Sequence, residues 1–415
     1  MRIQLPLVFT IGEWDTYMAH SEKIIKLAVF LAVSCLAATF SAKIAWAQDT
    51  SVQTDSSDAV AVASPVAFVY VGSSPGSSKY EIDAFAVAPS GELTPVSGSP
   101  FPANVLGGLA ASGQHLFATN GVDIYSFAIE ADGALRKVDT VNAQQYNGAA
   151  CGGPSPLFLG RAGTVLYDVD NYGNLCANNT YQSFSIESSG ELKYLGMTTA
   201  ASPVFNTPLS FIGNNEYGYG STCYHYSAGI YEFSRTNDGA LVLSGKSAKM
   251  PTAESGDFYC TYLTAADQTN HVAISVQQLN GATWATVGSP QLAIYTANSL
   301  GHLTTASTFA NMPHTAVQFV TDLKMSPFGK LLAVAGSAGL QAFHFNGSLP
   351  ITHYTARLTT DEVDQMFWDN DNHLYAISRY TNKLFVFTVT PSTVKQAPGS
   401  PYTIATPLNI AVLPR

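Results

Sequence analysis

A short sequence phrase recurs seven times along this chain of 415 residues. Each copy contains a run of aromatic and aliphatic residues, a polar turn that usually holds glycine, and then Leu or Val. The copies are AFAVAPSGEL (84–93), SFAIEADGAL (126–135), SFSIESSGEL (183–192), EFSRTNDGAL (232–241), AIYTANSLGHL (293–303), AFHFNGSL (342–349) and a degraded VFTVTPSTV (386–394). Self-similarity with a period of roughly 40 to 50 residues and several short strands in each period predicts a propeller or a solenoid.

Each repeat resolves into four strands. The sixth repeat reads VQFVTDLKMS for the innermost strand, then KLLAVAG, GLQAFHF and LPITHYTARL for the three strands further out. Alternating apolar residues bounded by Gly, Pro, Asn and Ser are typical of β-strands separated by turns. We therefore expect an all-β chain built from four-stranded antiparallel blades.

The two ends of the repeat region indicate how the blades are arranged. The first repeat begins at Val66 with a run that matches a second strand, so its innermost strand is missing. The run PLNIAV at residues 407–412 resembles an innermost strand with nothing after it. A C-terminal strand that completes the first blade would close a ring and leave only short, protected edges, whereas a solenoid would need caps. The sequence predicts a closed seven-bladed β-propeller over residues 66–415.

The N-terminal region has the pattern of an export signal. Lys23 and Lys26 precede an apolar run at residues 27–40, and Ala-Trp-Ala at 45–47 fits a signal-peptidase site. We expect a signal peptide within residues 1–47, with translation starting at Met18, and a flexible leader at residues 48–65. The apolar run is too short for a membrane span, which predicts a periplasmic or extracellular protein.

The charge of the chain argues against nucleic acid as a partner. The formal net charge is −10 and no cluster of Lys or Arg occurs, so we expect no nucleic-acid binding. No Cys-x-x-Cys or zinc-finger spacing is present, and we expect no cofactor and no bound metal. Acidic residues near one end of the channel leave calcium open as an alternative, although the chain has no D-x-D-x-D-G loop. We expect a monomer.

Four cysteines follow the predicted signal peptide: Cys151, Cys176, Cys223 and Cys260. An even number in an oxidising compartment predicts two disulfides. Three pairings are possible, and proximity in sequence favours Cys151–Cys176 and Cys223–Cys260.

Three enlarged connections between second and third strands lie in consecutive blades, the third, fourth and fifth, at residues 170–181, 220–229 and 277–291. They reach the face of the ring on which the chain leads into each innermost strand, and all four cysteines map to the same face. Disulfides between such loops would hold a rigid wall of aromatic and amide groups suited to a small molecule, a glycan or a protein. The candidate binding residues are Tyr172, Tyr181, Tyr224, His225, Tyr226 and Trp284.

The runs GELTPVSGSPFP (91–102), APGSPY (397–402) and MSPFGKLLAVAG (325–336) resemble the lactonase-type propellers, which are also described as 6-phosphogluconolactonase-like or YVTN-repeat proteins. The resemblance covers residues 66–415 and implies a lactone hydrolase or cycloisomerase. Pro313-His314 is similar to the Pro-His that begins an innermost strand in that family. In the family a Gln precedes this pair and a second His follows it, and Ala310 and Ala316 stand at those positions here.

A lactone chemistry needs an arginine to hold the anion and a His or Glu to move a proton. Arg379 is the one arginine whose predicted position, at the end of a second strand, places it on the functional face. The candidate catalytic residues are therefore His314 as acid or base, Glu362 as its partner and Arg379 as anion clamp. Other acidic residues on this face are Glu254, Asp257, Asp361 and Asp364.

Two functions follow from these observations. The first is an exported binding scaffold that uses disulfide-stapled loops of blades three to five. The alternative is a lactonase centred on His314, Glu362 and Arg379. The two functions use different parts of one face, and a propeller fold alone does not decide between them.

Overall fold

A computed structural model describes residues 64–147, 155–170, 180–199, 207–224 and 227–415. The predicted signal peptide lies outside the described residues, as does nearly all of the predicted leader. In the part of the chain that is described, no helix is both long and apolar enough to cross a bilayer.

The first blade combines both ends of the described chain. Its strands are β1 (Ala67–Gly76), β2 (Lys79–Val87), β3 (Leu93–Pro95), the short β4 (Phe101–Pro102) and the C-terminal β30 (Pro407–Pro414). The second blade contains β5 (Leu109–Ser112), β6 (His115–Thr119), β7 (Asp123–Ile129) and β8 (Leu135–Asn142), and α1 (Gln144–Asn147) follows it. The third contains β9 (Leu157–Leu159), β10 (Val165–Asp170), β11 (Thr180–Ile186) and β12 (Leu192–Thr199).

The remaining four blades follow in chain order. The fourth contains β13 (Ser210–Phe211), β14 (Tyr217–Tyr224), β15 (Ser227–Arg235) and β16 (Leu241–Ser247). The fifth contains β17 (Asp257–Ala266), β18 (His271–Asn280), β19 (Thr286–Ala297) and β20 (Leu303–Thr304), and a 3-10 turn (Phe309–Asn311) follows. The sixth contains β21 (Val320–Met325), β22 (Leu331–Gly336), β23 (Gly339–His344) and β24 (Thr352–His353). The seventh contains β25 (Gln365–Trp368), β26 (His373–Ser378), β27 (Lys383–Val389), β28 (Val394–Gln396) and β29 (Tyr402–Thr403).

The seven sheets confirm the predicted fold, and the ring closes as the sequence indicates. The first sheet has the order β3-β2-β1-β30, so the C-terminal strand forms its innermost position. Strands β1 and β30 are antiparallel, with Ala67 opposite Pro414 and Gly72 opposite Asn409. Because the first blade contains strands from both ends of the repeat region, the ring cannot close without the C-terminal strand.

Apolar side chains pack between neighbouring blades, which explains the period-two pattern of the repeats. The described residues form seven buried clusters, one at each junction between successive blades. At the junction of blades seven and one, for example, Val69 and Val71 pack with Ile377 and Val386. Both faces of each blade are therefore buried, and residues that alternate along a strand belong to two different clusters.

The glycine of the repeated phrase lies in the turn between the third and fourth strands, where the second strand of the preceding blade contacts it. Three tyrosine hydroxyls donate to glycine carbonyls there: Tyr70 to Gly133 (3.0 Å), Tyr167 to Gly239 (2.8 Å) and Tyr219 to Gly301 (2.7 Å). At three other junctions a histidine ring lies against the glycine: His115 with Gly190, His271 with Gly347 and His373 with Gly91. The phrase therefore recurs because its glycine forms part of the contact between blades.

Candidate functional site

The innermost strands surround a central cavity of about 510 Å³. Its lining is largely apolar, and it includes the charged residues Arg161, Asp322, Lys324 and Asp364. Lys324 Nζ lies 3.1 Å from Asp322 Oδ1, so these two charges form an ion pair beside the cavity. A concave apolar space of this size with a few polar groups is typical of sites for small molecules.

One mouth of the channel lies at the turns between first and second strands, and we refer to it as the lower mouth. Arg161 spans this mouth: its Nε donates to the Phe211 carbonyl (3.2 Å) and its Nη2 to the carbonyls of Ala266 (3.3 Å) and Asp267. These bonds join blades three, four and five. Because its donors are used by backbone carbonyls, Arg161 is occupied in holding the blades together.

The upper mouth lies where the chain leads into the innermost strands, and Arg379 is fixed beside it. The backbone N–H of Arg379 donates to Asp364 Oδ2 (2.7 Å), and its Nη2 donates to the Leu408 carbonyl at the start of β30 (3.2 Å). The side chain is otherwise exposed, and Glu362 is partly exposed two residues before Asp364. Arg379 is therefore bonded through its backbone to Asp364, which lines the cavity, and its guanidinium lies against the start of β30.

The neighbouring Asp361 is held apart from these groups. Its Oδ2 accepts hydrogen bonds from Lys383 Nζ (2.7 Å) and Thr381 Oγ1 (3.0 Å). The hydrogen bond from Lys383 holds the pKa of Asp361 below its usual value. This carboxylate is thus ionised and already paired.

His314 lies further from the channel axis than Arg379. Its backbone pairs with Gln291 of β19, a third strand, and its Nδ1 is 3.3 Å from Ser289 Oγ. A third strand lies two strand spacings, roughly 10 Å, from the innermost one. No hydrogen bond or ion pair among the described residues joins His314 to Glu362 or Arg379. The structure brings Arg379 and the Glu362 segment to one mouth and leaves His314 outside it.

Several solved structures have a fold similar to that of this chain. The chain resembles a protein from Lactobacillus plantarum (TM-score 0.62, 14% identity, 84% of this chain and 99% of that one). It also resembles the periplasmic gluconolactonase of Pseudomonas aeruginosa (TM-score 0.61, 14% identity, 84% and 99%). A third match is a putative 6-phosphogluconolactonase from Bacteroides uniformis (TM-score 0.58, 15% identity, 84% and 99%). The chain has the fold of the lactonase-type seven-bladed propellers. No family model and no curated protein sequence matches it.

Arg357 is a second arginine on the upper face of the propeller, which corrects the prediction that Arg379 is the one arginine there. The outer strand of blade six continues past β24, since the N–H of Leu358 donates to the Leu340 carbonyl (2.7 Å). Arg357 Nη1 consequently reaches the carbonyl of Ala338 (2.8 Å) in the β22–β23 hairpin.

A disulfide joins Cys223 to Cys260, with a Cα–Cα distance of 5.2 Å. Cys223 lies in β14 and Cys260 in β17, so the bridge links a second strand of blade four to the innermost strand of blade five. Cys151 and Cys176 lie outside the described residues. The expectation of disulfide-stapled loops is not supported, because both bonded cysteines belong to strands.

The enlarged connections of blades four and five are extended hairpins rather than loops. Tyr224 of β14 pairs with Ser227 of β15, and Leu279 of β18 pairs with Thr286 of β19. Strand pairing continues almost to each tip, because each connection is long enough to add ladder pairs beyond the body of the blade. The third connection lies mostly outside the described residues.

Two of the predicted binding residues have clearly described surroundings. Trp284 is 37% exposed at the β18–β19 tip, where its ring lies 4.5 Å from that of Phe258. Tyr181 is only 2% exposed, and its hydroxyl donates to the Thr207 carbonyl (2.8 Å). Tyr181 therefore belongs to the core between blades three and four, which corrects its assignment to an exposed wall. Tyr172, His225 and Tyr226 lie outside the described residues, and Tyr224 ends β14.

Two exposed aromatic residues of the upper face were missed by the sequence analysis. Tyr380, which follows Arg379, is 85% exposed, and Phe319, just before β21, is 73% exposed. Tyr380 lies in the short turn between β26 and β27, and Phe319 ends the long connection from β20 to β21. The exposure of both depends on neighbouring blades, so no local pattern in the sequence distinguishes them.

Glu254 and Asp257 share one partner at the upper end of blade five. Gln278 Nε2 donates to Asp257 Oδ2 (2.5 Å) and lies 3.4 Å from Glu254 Oε2. Burial, together with these two carboxylates, raises the pKa of Tyr259 to about 12. Among the described residues, no group of three or more His, Cys, Asp or Glu side chains is placed to hold a metal ion.

A second acidic pair is buried in blade three. Asp168 and Asp170 alternate along β10, and each is 1% exposed. Burial and the charge of Asp170 raise the pKa of Asp168 to about 8. The signal for this pair was present in the sequence as Tyr-Asp-Val-Asp within a strand, where alternate residues share one face.

Proposed function

We propose that this chain opens small lactones at the upper mouth of its central channel. The observation that carries the proposal is the position of Arg379: its backbone N–H is bonded to Asp364, which lines a cavity of about 510 Å³ and follows Glu362 by two residues. Its guanidinium is bonded to the Leu408 carbonyl at the start of β30. An anion clamp, a carboxylate and an apolar cavity are the components that lactone hydrolysis requires.

The reaction assigns a separate role to each group. Glu362 acts as general base and takes a proton from water as the water oxygen attacks the lactone carbonyl carbon. The developing oxyanion is stabilised by the Arg379 guanidinium through charge-assisted hydrogen bonds. The carbon–oxygen bond of the ring then breaks as Glu362 returns the proton that it took from water to the leaving ring oxygen. A hydroxy acid is released whose carboxylate is held by Arg379.

Asp364 is a positioning residue in this proposal. Its Oδ2 accepts a hydrogen bond from the backbone N–H of Arg379. This bond fixes the backbone position from which the Arg379 side chain extends. His314 contributes no contact to the reacting lactone, since its backbone pairs with a third strand of blade five. Glu362, and not His314, is therefore the proposed base.

The similar structures support this choice of reaction. Two of them are named as a gluconolactonase and a putative 6-phosphogluconolactonase, and the similarity covers 99% of each chain. The predicted signal peptide and the Cys223–Cys260 disulfide are consistent with an exported enzyme. We propose export on these grounds, with a sugar lactone as the first substrate class to test.

The test is acid release by the purified full chain from a panel of five- and six-membered sugar lactones and homoserine lactones. Glu362→Gln should lower kcat by about 100-fold or more, as expected when a general base is lost. Arg379→Met should raise KM and lower kcat. Arg357→Met removes another exposed arginine of the same face and is the matched control, with kcat and KM expected to stay within about twofold.

Three results would count against the proposal. If no lactone is opened faster than in buffer, the chain is not a lactonase and the ligand-binding scaffold becomes the better account. If turnover is lost in His314→Ala but retained in Glu362→Gln, the reacting groups lie over blade five. If Arg357→Met is as damaging as Arg379→Met, the upper mouth is not the site.

A further inference from the structure

Two aromatic side chains stand out from the upper face of blades six and seven. Phe319 is 73% exposed and Tyr380 is 85% exposed, whereas aromatic residues of the blade cores, such as Tyr70 and Phe343, are fully buried. Single exposed apolar residues are normal on a protein surface, but exposed aromatic rings that adjoin a cavity are typical of binding surfaces. The question is therefore where these two rings lie relative to the upper mouth.

Phe319 borders residues 361–364, which carry the proposed base and lead into β25; we call them the entry segment. One peptide unit of the β22–β23 hairpin joins the two. Its N–H, from Ser337, donates to the Phe319 carbonyl (3.0 Å), and its carbonyl, from Gly336, accepts the N–H of Val363 (3.2 Å). Because both bonds belong to one peptide unit, the Phe319 oxygen and the Val363 nitrogen are within about 9 Å of each other.

Tyr380 borders the same entry segment from blade seven. The residue before it, Arg379, donates its backbone N–H to Asp364 Oδ2 (2.7 Å). The residue after it, Thr381, donates its hydroxyl to Asp361 Oδ2 (3.0 Å). Both neighbours of Tyr380 are therefore bonded to the entry segment, and the exposed ring lies between these two bonds. Phe319 and Tyr380 thus flank the proposed base from two different blades.

The backbone fixes Phe319 in its exposed position. Gln318, just before it, has a φ of +57°, in the left-handed region that residues with a side chain rarely adopt. On the other side, Thr321 donates its hydroxyl to the Val363 carbonyl of the entry segment. The chain is therefore held on both sides of the ring. An aromatic side chain that is positioned before binding loses little conformational freedom when a ligand covers it.

Charged groups lie among the two aromatic rings, and they limit what the rings can bind. Lys383 Nζ lies 2.7 Å from Asp361 Oδ2 in a pair that is partly exposed, and Arg379 adjoins Tyr380. A sugar ring has C–H groups on its faces and hydroxyls around its edge, so it can pack on aromatic faces and bond to charged groups at once. An alkyl chain would cover the aromatic rings of Phe319 and Tyr380 but would leave the charged groups without partners.

We propose that Phe319 and Tyr380 bind a second sugar ring that is attached to the reacting lactone. The preferred substrates are then the lactones of disaccharides and longer saccharides, rather than those of single sugars. This inference rests on the proposed lactonase function, because the lactone ring itself lies at Glu362 and Arg379. Phe319 and Tyr380 make no contact with the reacting atoms, and they determine which lactones bind.

The test compares kcat/KM of the purified full chain on cellobiono-1,5-lactone and on glucono-1,5-lactone, which lacks the second ring. The disaccharide lactone should have a kcat/KM about tenfold higher or more, mainly through a lower KM. Phe319→Ala and Tyr380→Ala should each lower this ratio between the two substrates by about tenfold. Tyr380→Phe keeps the aromatic face and should retain most of the preference.

Phe328→Ala is the matched control, since Phe328 is 57% exposed in the β21–β22 turn on the opposite face of the same blade. It should leave the ratio unchanged. Equal kcat/KM values for the two lactones would overturn the inference and leave the lactonase function standing. The inference also fails if both Phe319→Ala and Tyr380→Ala keep the preference, or if Phe328→Ala removes it. Turnover of neither lactone rejects the lactonase function, and this inference with it.

Discussion

At the scale of single residues, the repeated glycine performs two structural roles at once. Gly133 has a φ of +91°, which residues with a side chain rarely adopt, and it lies beneath the ring of Phe68 from the preceding blade. A Cβ at this position would come within 2.5 Å of that ring. Both the turn and the close approach of two blades therefore require glycine here.

These two roles can be separated by comparing Gly133→Ala with Gly113→Ala. Gly113 also has a positive φ, +61°, but a Cβ there would meet nothing within 4 Å. Gly113→Ala should lower the free energy of unfolding by about 1 kcal/mol, the backbone contribution alone. Gly133→Ala should lower it by about 2 to 4 kcal/mol, because overpacking against Phe68 is added. Chemical denaturation measures both values. Equal losses would mean that the contact between the blades contributes nothing.

The positions of some functional candidates could be predicted from the sequence, and those of others could not. Asp168 and Asp170 could have been recognised from their alternation in a strand, since the side chains of such residues share a face. The position of His314 could not, because residues 313–315 run beside β19, and only then does the chain pass to blade six and β21. That path depends on contacts with another blade, which no local pattern encodes.

At the scale of elements, strands and turns were predictable because each blade is specified locally. Alternating apolar residues and a turn glycine are sufficient to define a four-stranded unit and the clusters on its two faces. The extended hairpins of blades four and five were interpreted as loops, since GSTCYHYSAG and QQLNGATWATVGSPQ contain few residues that favour strands. Their ladders form because neighbouring strands support them: Thr261 of β17 donates to the Thr222 carbonyl of β14 (2.9 Å).

The Cys223–Cys260 disulfide should stabilise this pair of elements. It closes a segment with a sequence separation of 37, which corresponds to about 3 to 4 kcal/mol in the chain-entropy account. The Cys223→Ser/Cys260→Ser double variant should lose that amount of unfolding free energy under oxidising conditions. The variant and the wild-type chain should become similar in stability once a reductant is added. A double variant as stable as the oxidised wild type would show that strand pairing alone holds blades four and five.

At the scale of the whole molecule, closure of the ring determines where the site lies. β30 supplies the innermost strand of the first blade, and the carbonyl of its Leu408 receives the Arg379 guanidinium from blade seven. The upper mouth at these two blades therefore exists only when the two ends of the repeat region meet. The split repeat made this closure predictable from sequence, whereas the contact between Arg379 and Leu408 required the assembled ring.

The central claim is that a lactone binds at this mouth, and a crystal structure with a sugar δ-lactam tests it most directly. A lactam retains the ring and carbonyl of a lactone but resists hydrolysis. The account predicts that the lactam lies over the central cavity, with its carbonyl oxygen within hydrogen-bonding distance of the Arg379 guanidinium and with Glu362 beside its carbonyl carbon. A lactam bound next to His314 and Ser289, or at the Trp284 hairpin, or not bound at all, would contradict it.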